Sequence, residues 1–121
     1  MGNVTRVSPL VTAHINVAAN PASLGSNTLV AAVPGARYRV LAVAAITTLA
    51  NNIKFTSNAS DISATFPLAA NGGLVLPFNE HGWFQTNLGE ALNINLSVAT
   101  ATGVQLQHIN LVREYIEVVH L

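Results

Sequence analysis

Residues 77–98 read PFNEHGWFQTNLGEALNINLSV, and the fold turns on the second half of that stretch. Leu92, Ile94, Leu96 and Val98 alternate with Asn93, Asn95 and Ser97. Successive side chains of a strand point to opposite faces, so this run offers one apolar face to a core and one polar face to water. The first half bears on function. It holds the single Trp, Trp83, and a Glu80–His81 pair, and it reads either as the mouth of a catalytic pocket or as a shaped corner feeding a strand. The corner reading is favoured. Pro77 ends a strand, Asn79 and Gly82 supply turn conformations, and Gly89 is free to adopt positive φ. On this reading Trp83 and Phe84 plug one end of a sandwich, with Trp83 buried.

The same punctuation runs along the whole chain. Turn residues fall at Asn20-Pro21, Pro34-Gly35, Asn51-Asn52, Asn58–Asp61, Asn71-Gly72-Gly73, Asn87–Gly89 and Thr102-Gly103. Short runs of period two lie between them: Val11 to Val17, Ile53 and Phe55 about Lys54, and Ile62 to Phe66. Turns at such spacing mark an all-β chain. The expected fold is a single antiparallel β-sandwich, jelly-roll-like or Ig-like, of about eight strands with extended termini. The chain divides into an N-terminal arm (1–9), a sandwich domain (10–112) and a C-terminal extension or last strand (113–121).

One run breaks the alternation. From Val40 to Ile46 both faces are apolar, with Val40, Ala42 and Ala44 on one and Leu41, Val43 and Ala45 on the other. The β-branched residues and the following Thr47-Thr48 favour strand over helix. A strand apolar on both faces needs a cover beyond its own core, and a second subunit would supply it. Leu41, Val43 and Ala45 are therefore the expected oligomer interface of a homodimer or homotrimer.

Composition narrows the function classes. Half of the 121 residues are hydrophobic, only 8% are charged and the net charge is zero, against about 25% charged residues in an ordinary soluble domain. The five basic residues are scattered, which argues against a nucleic-acid partner. Scarce charge also fits a chain that works assembled, with part of its surface covered. With no Cys there is no thiol chemistry or disulfide framework. The apolar run Val40–Ala50 is shorter than the roughly 20 residues of a membrane-spanning helix, and it lies too late for a secretory signal. No membrane partner is expected.

Catalytic patterns are weak. His14, His81, His108 and His120 show no paired metal-ligand spacing, and His14 and His108 read as structural residues within strands. No GxSxG elbow is present. Glu80 and Glu90, ten residues apart, are a thin basis for a glycosidase pair. No catalytic, cofactor or metal site is expected, and the chain is read as a non-enzyme. Trp83 and Phe84 leave a carbohydrate-stacking alternative open, as aromatic faces exposed on a β domain would.

The segments PLAANGG (67–73), LPFN (76–79), GWF (82–84) and GEALNINLS (89–97) together resemble small virion proteins of tailed bacteriophages, the head decoration or cement proteins. The resemblance covers roughly residues 39–100. It implies a structural protein of the capsid surface, assembled in the host cytoplasm, that binds the major capsid protein and stabilises the finished head. The alternative is a β-sandwich module of a phage tail that binds a receptor or carbohydrate; a small β-barrel enzyme is a distant third. The ends of such proteins do the gripping. Partner contact is accordingly placed on Val4, Arg6 and Val7 of the N-terminal arm and on Arg113, Tyr115, Ile116 and Val118 of the tail, by addition to a neighbouring sheet.

Overall fold

The computed structural model of the chain describes residues 5–7, 13–112 and 116–118. Among them there is no helix. The strands are β1 (Thr5–Val7), β2 (Ile15–Ala19), β3 (Gly25–Val30), β4 (Ala36–Thr47), β5 (Asn51–Ser57) and β6 (Ser60–Asp61). They continue as β7 (Phe66–Leu68), β8 (Gly73–Leu76), β9 (Phe84–Gln85), β10 (Leu92–Leu96), β11 (Thr102–Val112) and β12 (Ile116–Val118).

Ten strands make two packed antiparallel sheets. The first runs β3-β10-β5, with β6 and β7 sharing the far edge of β5; the second runs β2-β11-β4, with β8 and β9 sharing the far edge of β4. If each split edge counts as one position, eight positions remain. In chain order they lie as 2-7-4-5 in the first sheet and 1-8-3-6 in the second. That is the jelly-roll order, two interleaved Greek keys that alternate between sheets. Most consecutive strands therefore face each other across the core, and apart from the β5–β6–β7 edge hydrogen-bonded neighbours are distant in sequence.

The core comes from the four central strands. Tyr38, Val40, Val43 and Ala45 of β4 and Val104 and Leu106 of β11 meet Ile53 and Phe55 of β5 and Leu92, Ile94 and Leu96 of β10. Val17, Leu29, Val30, Phe66, Leu68, Leu74, Leu76 and Phe84 close the edges. The β10 run thus behaves as its alternation predicts through Leu96. Val98 does not: it lies past the end of β10 and is exposed. The buried Asn51 is the reason. Its Oδ1 accepts bonds from Ser97 N (2.9 Å), Ser97 Oγ (3.0 Å) and Val98 N (3.2 Å), which turns the chain away from the strand.

Asn93 departs from expectation in the opposite sense. It is buried although it lies opposite the core face, because the β5–β6 turn folds over it and Asn93 Nδ2 donates to Asn58 O at 3.1 Å. Two other runs are shorter than their alternation suggests. Ile62–Phe66 breaks between β6 and β7, and at the edge strand β2 only Val17 packs on the core while Ile15 is exposed.

The β4 run is a strand, and its two apolar faces have a geometric origin. The register against β11 shifts between Gln107 and His108: Gln107 faces Ala42 and His108 faces Val40, so Leu41 is an extra residue. Such a bulge reverses the alternation. Ala36, Tyr38 and Val40 point inward before it, and Val43, Ala45 and Thr47 after it. Leu41, Val43 and Ala45 are each at most 2% exposed and have no surface to give a second subunit. The expectation that they form an oligomer interface is corrected: the solvent face of β4 beyond the bulge is Ala42, Ala44 and Ile46.

Ile94 is fully buried between β3 and β5. Ile94→Ala should cost about 2–5 kcal/mol of unfolding free energy, measured by urea denaturation. A loss under about 0.5 kcal/mol, the ordinary surface range, would show that the residue is not in the core.

Candidate functional site

The corner between β8 and β9 is built on the β4 bulge. Asn79 N donates to Leu41 O (2.9 Å) and Trp83 N to Val40 O (2.8 Å), so residues 77–83 continue the ladder that β8 and β9 make on either side. Within the loop, Gly82 N bonds Asn79 O and His81 N bonds Asn79 Oδ1, both at 2.9 Å. Leu41 is buried yet stands apart from the central cluster, and its carbonyl is taken by the loop. The chain itself thus supplies part of the cover that the doubly apolar strand requires.

Phe84 and Trp83 part company here. Phe84 pairs with the inward Val40 and stacks on Phe55 at 5.0 Å. Its neighbour must then point outward. Trp83 is 42% exposed, its Nε1 held by Pro77 O at 2.8 Å, which corrects the expectation of a buried indole. The alternation of β9 carried that signal, once Phe84 was placed inside. Phe78 is also exposed and lies 5.7 Å from His14, which sits just before β2 and not within a strand.

Glu80 and His81 occupy the exposed tip of the loop, 3.6 Å apart. Two open hollows, of about 410 and 360 Å³, lie on the outer face of the second sheet, and neither includes this pair. Glu90 has a different occupation. Ser57 Oγ donates to its carboxylate at 2.6 Å and Asn87 Nδ2 at 3.1 Å. The Ser57 bond, then the Asn87 bond, hold its pKa below the usual carboxylate range. A carboxyl so stabilised as the anion is unsuited to protonate a leaving group near neutral pH; it ties the 87–90 turn to the end of β5. Among the described residues no group of three or more His, Asp or Glu is placed to hold a metal ion.

His108 does lie within a strand and is buried, its ring edge-on to Tyr38 at 5.3 Å. It is less fully bonded than a structural histidine ordinarily is, since Nδ1 has no hydrogen-bond partner. Burial pushes its pKa down, opposed by the Ile109 backbone and the Asn110 side chain nearby.

The expected partner-contact residues are divided. Val4, Arg113 and Tyr115, and with them most of 1–9 and 113–121, lie outside the described residues. Arg6 and Val7 fall in β1, and Ile116 and Val118 in β12. These two strands pair with each other, Thr5 opposite Val118, Arg6 opposite Glu117 and Val7 opposite Ile116. The two terminal segments therefore form one ribbon, where two independent arms were expected.

The outer face of the second sheet is a feature that reading missed. Across its strands the outward residues align in rows: Asn16, Gln107 and Ala42; then Ala18, Gln105, Ala44 and Val75; then Gly103, Ile46 and Gly73. None is charged. Val75 is 72% and Ile46 63% exposed. The opposite sheet carries on its outer side the ion pair Lys54–Asp61 (3.0 Å). The bulge hid this face from a simple period-two reading. No protein-family model and no curated protein matches the chain.

Two outcomes follow. Gly82 has φ +82°, and a Cβ there would stand 2.4 Å from Arg39 Cγ and 3.2 Å from Val40 O; Gly89 has φ +76° and open space. Gly89→Ala should cost about 1–2 kcal/mol, and Gly82→Ala about 1–3 kcal/mol more from the clash, by urea denaturation; equal losses would contradict the packed corner. The folded protein holds His108 below its unfolded pKa of about 6.5, so the unfolded chain binds more protons as pH falls through that region. Stability should be full well above that pH and decline as pH falls through it towards the lowered folded-state pKa. His108→Leu should flatten the dependence, and an unchanged slope would assign it elsewhere.

Proposed function

We propose that this chain is a structural protein of a bacteriophage virion, a decoration protein that binds the outside of an assembled head and stabilises it. The observation that carries the proposal is the uncharged, largely apolar outer face of the second sheet beyond the β4 bulge, set on a jelly roll. A chain with so little charge and so much exposed apolar sheet suits a permanent assembly. Jelly rolls serve widely in viral capsids, although they serve lectins as well, and the sequence segments at 67–97 point to virion proteins. The partners are the major capsid protein and further copies of this chain, and the place of action is the capsid surface after assembly in the host cytoplasm. The mechanism is mass action: a protein that binds only the assembled shell draws the equilibrium away from dissociation by RT ln(1 + [L]/Kd) per site. The β1–β12 ribbon supports a grip on the shell, because each of its strands pairs with the other on one edge and can offer the second edge to a neighbouring sheet.

A second reading is favoured by Trp83 alone. An exposed indole held by Nε1 is a platform on which a sugar ring can stack, as in a receptor- or carbohydrate-binding tail module. Fractionated virions separate the two. The chain should travel with heads, and removal of residues 1–9 or 113–121 should leave a folded protein that no longer decorates them. Recovery with tails, together with glycan binding abolished by Trp83→Ala, would establish the second reading in place of the first.

A further inference from the structure

We infer that the outer face of the β2-β11-β4-β8 sheet is where two copies of this chain meet, sheet against sheet about a two-fold axis. The inference rests on the homo-oligomeric part of the function proposed above and gives it a location.

Three features of the face select a second copy as the occupant. The first is charge. Beyond the β4 bulge the face spans four strands without one ionised side chain; the charges of this sheet, Arg37 and Arg39, lie before the bulge, and the other sheet displays Lys54 and Asp61. In a two-fold contact each residue near the axis meets its own image, so any charge there would oppose its like. A neutral face removes that repulsion. A capsid or receptor surface of unrelated sequence imposes no such condition.

The second is hydrogen bonding. The polar residues of the face are amides, Asn16, Gln105 and Gln107. An amide side chain carries both donor and acceptor, so it can satisfy its own image. Ionised groups, acceptor-only or donor-only, would require a differently composed partner to the same degree of pairing.

The third is shape. Two hollows flank the centre of the sheet, one beside Ile46 with Ala18, Ala44 and Gly103 in its walls, the other beside Val75 with Ala42 and Pro77. Small residues form the floors, and the two most prominent apolar side chains stand at their margins. A face that carries both knobs and hollows can interlock with a copy turned by a half rotation, each knob entering the other's hollow. The loop 77–83 bounds the face at the bulge, so the contact is limited to the half that the chain does not already cover.

The purified protein, without heads, tests this independently of any capsid role. Light scattering at micromolar concentration should give about twice the 12.7 kDa chain mass. Val75→Lys, at a highly exposed site, should raise the dissociation constant tenfold or more with the circular dichroism unchanged. Gln105→Glu, near the centre of the face, should do the same at pH 7.5, and dimer should return near pH 4 when the introduced carboxyl is protonated. Thr28→Glu, on the outer side of the other sheet, should leave the mass unaltered. A monomeric parent protein overturns the inference and the oligomeric reading together. An oligomer of any order that both face variants leave intact, or that Thr28→Glu dissolves, overturns the inference while the oligomeric reading stands.

Discussion

The extra residue at Leu41 governs much of this molecule. β4 is twelve residues long, lies between β11 and the split edge of β8 and β9, and supplies four members of the core. Without the bulge, a strand with Tyr38 and Val40 inside would point Ala42, Ala44 and Ile46 inward and leave Val43 and Ala45 in water. With it, each half directs its appropriate residues to the core. The cost is a local break in the ladder and an apolar Leu41 on the outer side. The 77–83 corner bonds to the carbonyls of Val40 and Leu41 along the other edge of β4, and Leu41 is buried within the single chain. The edge strand is split into β8 and β9 at the loop that makes those bonds.

Polar side chains, in the near absence of charge, hold the turns. Asn51 ties down the end of β10, Asn58 receives Asn93 Nδ2 and accepts the Ala91 amide at 3.0 Å, and Ser57 joins Asn87 and Glu90. Such bonds matter in a jelly roll because hydrogen-bonded neighbours are far apart in sequence and few local contacts guide them. Asn also tolerates positive φ, as at Asn58 (48°) and Asn71 (58°). The abundance of asparagine at turns thus serves backbone geometry and loop anchoring together.

The sandwich and the strand Leu92–Leu96 were legible because turn spacing and period two survive there, and Val40–Ile46 because its β-branched residues favour strand. Val98 and Asn93 were misread because long-range bonds to Asn51 and Asn58, 47 and 35 residues away, decide where their strand ends and what covers it. Val43 and Ala45 were correctly grouped on one face and wrongly turned outward, and Leu41 was wrongly joined to them, since no local pattern reveals a bulge imposed by a neighbouring strand. The corner at 77–83 was recognised as a corner from Pro77, Asn79 and Gly82. Which way its aromatics point depended on the pairing of Phe84 with Val40, a tertiary fact. The apolar sheet face was unreadable for the same reason, because its rows combine residues from four separate strands.

The pairing of β1 with β12 has a consequence for the order of folding. Joining the two ends of an unfolded chain closes a loop of roughly 110 residues, an entropic burden that only a few backbone bonds would offset. In the folded sandwich the problem changes scale. β2 and β11 are neighbours, with Ile15 opposite His108, so the two terminal segments leave the body from adjacent strands and need to span only a short distance. The ribbon is thus a late structure, conditional on the pairing of the first and last long strands. The ribbon's surface therefore exists only after the rest of the chain has closed, and its presence reports a completed fold.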